Sequence, residues 1–191
     1  MCAMYALTFT RVQRMQRGFT LIEVMVVVAI IAVLAALAAP SFTPIIERWR
    51  VRDATESLQS ALYYARSEAI KRGGNVVIRK EDTGANGCTL ASGNASWDCG
   101  WFVFVNADSN GTLNTGEEVL QRFTAPSNIE VTRSANSAFI RFDRWGRSGP
   151  FGFSIVPVGK STSNPAARGL CMSSGGRIRV TSDPADIPCN D

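Results

Sequence analysis

The sequence predicts an α+β fold, a long N-terminal transmembrane and amphipathic helix packed on an antiparallel β-sheet domain. Three observations predict it. Leu21 to Ala39 form an almost uninterrupted apolar run whose only charge is Glu23. Beyond it Val51, Ala54, Leu58, Ala61, Leu62, Ala65 and Ala69 recur at helical spacing. After Gly74 the apolar period falls to two, and short runs rich in β-branched and aromatic residues are separated by Gly and Asn turn signals.

The elements follow in order. Residues 1–18 read as a leader, with Arg11, Arg14 and Arg17 as its charges and Met4 and Met15 as other possible starts. Residues 19–40 are the apolar half of the helix and 41–74 the amphipathic half. About 20 apolar residues suffice to span a bilayer. A helix from Phe19 to about Arg72 extends roughly 80 Å at 1.5 Å per residue, so part of it must find lipid or other subunits. Pro40 and Pro44 each remove a backbone donor, which predicts a kink. Gly73-Gly74 supplies the stop. Strands are expected at Val76–Arg79, Trp101–Val105, Val119–Phe123, Ile129–Arg133, Phe139–Phe142, Phe151–Val156, Leu170–Ser173 and Arg177–Thr181 within a domain covering 75–191. Thr83–Gly100 and Lys160–Ala167 read as polar loops.

Composition narrows the function. With 191 residues and no histidine, Ser-His and His-based acid–base catalysis and the common zinc sites are excluded. The formal charge of +4 misleads, because without the leader 17 basic residues face 16 acidic ones. The remaining excess is local: Arg133, Arg141, Arg144, Arg147, Lys160, Arg168, Arg177 and Arg179 share one stretch with a single acid, Asp143. Cys2 falls in the leader. Cys88, Cys99, Cys171 and Cys189 are an even set in an exported domain, which suggests two disulfides. Three connectivities are possible, and the local pairs Cys88–Cys99 and Cys171–Cys189 are the simplest.

Two motifs invite chemistry. Asp108-Ser109-Asn110-Gly111, with Asn114 and Glu117, faintly resembles a calcium loop but lacks the full spacing and the terminal Glu. An Asn-Gly hairpin explains it better, so no metal and no cofactor are assigned. In Gly176-Arg177-Ile178-Arg179 a strand would turn both arginines to solvent and Ile178 and Val180 to the core. The arginines would sit about 6.6–6.8 Å apart, on the order of two phosphate steps. Gly175-Gly176 would let backbone approach a ligand. Arg168, Lys160, Arg144 and Arg147 could widen the patch. Charges that protect an edge strand from aggregation are the competing explanation, and the residues alone favour it.

The basic stretch, Gly18-Phe19 and Glu23 five residues into the mature chain together resemble the type IV pilin and pseudopilin signature. An ordinary signal peptide cut near Ala36-Leu37-Ala38 leaves Glu23 unexplained, and a plain single-pass anchor does not require the Gly-Phe-Glu spacing. The resemblance implies cleavage between Gly18 and Phe19 by a prepilin peptidase and N-methylation of Phe19. It also implies residence in the inner membrane before assembly, a periplasmic C-terminal domain, and assembly with other pilins or pseudopilins into an extracytoplasmic filament, with Glu23 as the assembly residue. The chain is then not an enzyme.

Three later blocks are similar to the minor-pilin branch that includes FimT and FimU and the pseudopilin GspH: Trp97–Phe104, Phe142–Arg147, and Leu170-Cys171 through Arg179. Ala38-Ala39-Pro40 resembles the family's helical proline region. In FimT-like members a Gly-Arg-x-Arg is linked to DNA binding in natural transformation, and here it matches Gly176, Arg177 and Arg179. The reading is a FimT/FimU-like minor pilin with DNA as a further partner. The alternatives are a GspH pseudopilin of a type II secretion system and a membrane-anchored binding protein that never assembles.

Overall fold

The structure is a computed structural model that describes residues 18–38, 42–85, 88–90, 92–125 and 127–189. The leader arginines, Cys2 and Pro40 lie outside the described residues. The chain forms two compact units, Met1–Ser41 and Phe42–Asp191.

The first unit contributes helix α1, Leu21–Ala38. Thr20 caps it: its hydroxyl accepts the Glu23 N–H at 3.3 Å, half of a capping box. Apolar residues surround the helix on every side. Leu21, Val24, Val27, Ile31 and Leu34 are all exposed, as are their described apolar neighbours. Its 18 residues extend about 27 Å, just short of a hydrocarbon core of about 30 Å. Among the described residues no helix is long and apolar enough to cross a membrane.

The second unit opens with α2, Thr43–Arg72. Pro44 lies in its first turn, where a missing N–H costs nothing, so Pro44 starts this helix instead of interrupting it. Gly73 ends it in the left-handed conformation at φ +76°. The stripe from Val51 to Ala69 is buried.

Among the described residues eight strands follow: β1 Val76–Lys80, β2 Trp101–Val105, β3 Val119–Phe123, β4 Ile129–Arg133, β5 Phe139–Phe142, β6 Phe151–Pro157, β7 Arg168–Met172 and β8 Ile178–Thr181. They make two antiparallel four-stranded sheets, ordered β3-β2-β1-β5 and β4-β6-β7-β8. Helix α2 packs on both sheets. Its stripe meets Val76, Ile78, Trp101, Val103, Ile140 and Phe142 from one sheet, and Phe151, Phe153, Ile155, Leu170 and Met172 from the other. Burying such side chains contributes about 1.5–3 kcal/mol each.

The polar segment before β2 is more than a loop. Ser96 bridges Thr132 on β4, and Trp97 is buried with its ring edge-on to Phe153 at 5.1 Å. Asp98 Oδ1 accepts the Val131 N–H at 2.5 Å, and burial raises the Asp98 carboxyl above its usual range. Disulfides join Cys88 to Cys99 and Cys171 to Cys189.

Candidate functional site

The β7–β8 hairpin, Ser173 to Arg177, carries the Gly-Arg-x-Arg motif. Ser173 N–H donates to the Arg177 carbonyl at 3.0 Å, and Gly176 N–H to the Ser173 carbonyl at 2.8 Å. Arg177 is exposed and has no carboxylate partner among the described residues. Arg179 differs from expectation. It stands opposite Cys171 in the register and forms an ion pair with Asp186, with a second bond from Nη2 to Asp186 Oδ1 at 3.1 Å. The Arg179 hydrogen bonds hold the Asp186 carboxyl below its usual range. Val180 differs too: it is 44% exposed, because β8 is an edge strand and α2 packs chiefly on β6 and β7 of that sheet.

A second basic turn joins β5 to β6. Asp143 Oδ1 accepts the N–H groups of Trp145 at 2.9 Å and Arg147 at 2.8 Å, and Arg147 Nε donates to Oδ2 at 3.1 Å. These bonds, the Arg147 N–H first, keep the Asp143 carboxyl below its usual range. Trp145 is exposed. The guanidinium carbons of Arg144 and Arg147 lie 5.2 and 4.9 Å from its ring centre, within cation–π range.

Arg66 of α2 joins the two turns. Its Nη1 donates to the Gly176 carbonyl at 2.6 Å. A Cβ at Gly146 would meet Arg66 Cγ at 2.6 Å, and one at Gly176 would meet the Arg66 guanidinium carbon at 3.1 Å. Both glycines have positive φ, +72° and +79°. Gly176 therefore makes room for Arg66 and not for a ligand. Two adjoining concavities, of about 450 and 420 Å³, lie at these turns. Pro150, Ser173, Arg177 and Arg179 line the first. Arg141, Asp143 and Arg147 line the second, and Ser174 lines both.

The expected patch is thus split. Arg144, Arg147 and Arg177 lie at this end of the second sheet, and Arg141, which the motif reading omitted, stands on β5 of the first sheet and lines the same concavity as Arg147. Arg168 and Lys160 lie at the far end, in and before the other terminus of β7. The Arg168 guanidinium donates to the carbonyls of Pro165, Ala166 and Ala167, at 2.7 Å to the last. Arg66 went unnoticed because one arginine on an amphipathic helix is an ordinary solvated charge. The positive-φ glycines it lies against were the only trace. Among the described residues, no three His, Cys, Asp or Glu side chains gather to hold a metal.

The family model for the type II transport protein GspH matches residues 54–176. The chain belongs to the GspH family. The prokaryotic N-terminal methylation motif matches residues 13–39, a span that contains Gly18, Phe19 and Glu23. Among curated proteins, none matches the chain. Two crystal structures of the type IV minor pilin FimU from Pseudomonas aeruginosa PAO1 are similar. One has 21% identity and a TM-score of 0.53, covering 72% of this chain and 92% of FimU. The other has 22% and 0.50, covering 70% and 94%. The minor pseudopilin EpsH of the Vibrio cholerae type 2 secretion system has 15% identity and a TM-score of 0.48, covering 69% of this chain and 96% of EpsH. GspH-family chains are pilin or pseudopilin subunits and not enzymes. This chain is accordingly a pilin-like subunit of the GspH family that carries the N-terminal methylation motif.

Proposed function

We propose that this GspH-family chain is a FimT/FimU-like minor pilin. A prepilin peptidase cleaves it after Gly18, Phe19 is N-methylated, and α1 holds it in the inner membrane until it joins an extracytoplasmic filament. Residues 19–40 then form the filament-core segment, and 75–191 the periplasmic β-domain on the helix of 41–74. The observation that supports this is α1 itself, whose described large apolar side chains are all exposed. Such a surface is stable in water only when lipid or other subunits cover it. Mass spectrometry of the mature protein is expected to show an N-methylated Phe19 terminus. A terminus near Ala39 would overturn the assignment.

The finer proposal is that the filament contacts DNA through the two basic turns. Arg177 supports it: it is exposed, and the concavity that it lines adjoins the one lined by Arg147. Of the two motif arginines, Arg179 is engaged by Asp186, so Arg177 carries the expected contact. The unit Phe42–Asp191 should bind duplex DNA without sequence preference, at about micromolar affinity or weaker, with steep salt dependence. Arg177→Gln should leave the fold intact and flatten the log–log salt slope by about one. Several subunits would add avidity. Equal binding by variant and parent at low salt would return Arg177 to edge-strand protection and favour the secretion pseudopilin, the reading that the family's description supports.

A further inference from the structure

The β2–β3 connection has the spacing of a calcium loop when it is counted from Asn106 and not from Asp108. Asn106, Asp108 and Asn110 take the first, third and fifth places, Gly111 the sixth, Asn114 the ninth and Glu117 the twelfth. This is D-x-[DN]-x-[DN]-G-x5-E with Asn for the first Asp. A count begun at Asp108 hides both the spacing and the terminal Glu.

The interior of the loop is specific. Asn106 is wholly buried. Its Oδ1 accepts the Gly111 N–H at 2.9 Å. Its Nδ2 stands 3.0 Å from Asp108 Oδ1, 3.4 Å from Asn110 Oδ1 and 3.2 Å from Glu117 Oε1. Three oxygens of the kind that ligate calcium therefore converge on an amide nitrogen.

We infer that the Asn106 amide takes the cation's place, so that the loop is closed from within and keeps its shape without a divalent ion. A carboxylate at this position could give one oxygen to a cation and the other to Gly111 N–H. A carboxamide has a single oxygen for both tasks, and here it faces the Gly111 N–H. With its oxygen held by Gly111, it turns its two N–H donors toward the three oxygens at the centre, which ties them together and repels a cation. An unpaired amide buried this deeply would be costly, and here every polar atom of the side chain has a partner. The loop also supports the candidate site. Arg141 donates to the Ser109 carbonyl, and Arg79 Nη1 to the Gly111 carbonyl at 2.8 Å. The position of Arg141 beside the basic concavity is then independent of calcium.

The test compares the parent with Asn106→Asp in calcium chloride and in chelator. The parent should melt at the same temperature in both and show no calorimetric binding at millimolar calcium, the range of weak extracellular calcium modules. Asn106→Asp should melt lower than the parent in chelator, bind calcium, and recover several degrees when calcium is added. Asn106→Ala should melt lower with no response, and adding Glu117→Gln to Asn106→Asp should remove the recovery. Calcium binding by the parent would overturn the inference. So would an Asn106→Asp variant that calcium neither binds nor stabilises, including one unfolded in both buffers.

Discussion

Glu23→Ala is expected to abolish incorporation into filaments while cleavage and membrane insertion proceed. Glu23 lies in the first turn of α1, where the helix dipole favours a carboxylate by about 0.3–1 kcal/mol. A carboxylate inside a low-dielectric filament core or bilayer costs several kcal/mol. The local benefit is too small to explain its place in so apolar a segment, which points to a positive partner in the assembled state. The proposed partner is the amino group of the neighbouring subunit's first residue. Removing Glu23 leaves that group unpaired, at a cost of about 3–5 kcal/mol, or roughly a hundredfold or more in incorporation. Immunoblots of sheared filaments against membrane fractions measure this. Normal incorporation of the variant would contradict the role.

Replacing Cys171 and Cys189 by serine is expected to lower stability by about 3 kcal/mol, the chain-entropy value for a loop of this size. The disulfide holds more than a loop. The tail lies on the face of the second sheet opposite α2, and small residues admit it. A Cβ at Gly152 would collide with the Pro188 carbonyl, and one at Gly169 would meet Thr181 and Ile187 at 2.7 and 3.0 Å. Ile187 packs with Val156 and Ala167, and Asp186 holds Arg179. Without the bridge the tail should become protease-sensitive from Thr181 onward and Arg179 should lose its fixed partner. Urea unfolding and limited proteolysis of the double variant are the measurements, after non-reducing peptide mapping has confirmed both pairs in the parent. An unchanged midpoint would show that the tail is held by its packing alone.

The strands were legible because alternation is local. Trp101–Val105, Val119–Phe123, Ile129–Arg133 and Phe139–Phe142 stand where the period of two places them. The helical stripe Val51 to Ala69 was legible for the same reason. Trp97 was not, since it sits among polar residues and its burial depends on Phe153, more than fifty positions away. The Gly-Arg-x-Arg motif was legible as a motif and misjudged as a surface. Nothing near Arg179 announces that Asp186 will fold back onto it.

The amino-acid sequence by itself determined the α+β class, the apolar helix with its one carboxylate, the boundaries of most strands and the family signature at Gly18-Phe19. The first three rest on periodicity or spacing within a few residues, which chain chemistry enforces directly, and the signature rests on a resemblance. Tertiary structure alone decided the division into two sheets, the separation of Lys160 and Arg168 from Arg177, the capture of Arg179 by Asp186, and the reach of Arg66 to Gly176 across 110 positions. Those outcomes depend on which distant segments close upon one another. Loop-closure cost rises only slowly with length, so sequence separation barely restricts the choice, and packing over the buried face of α2 makes it.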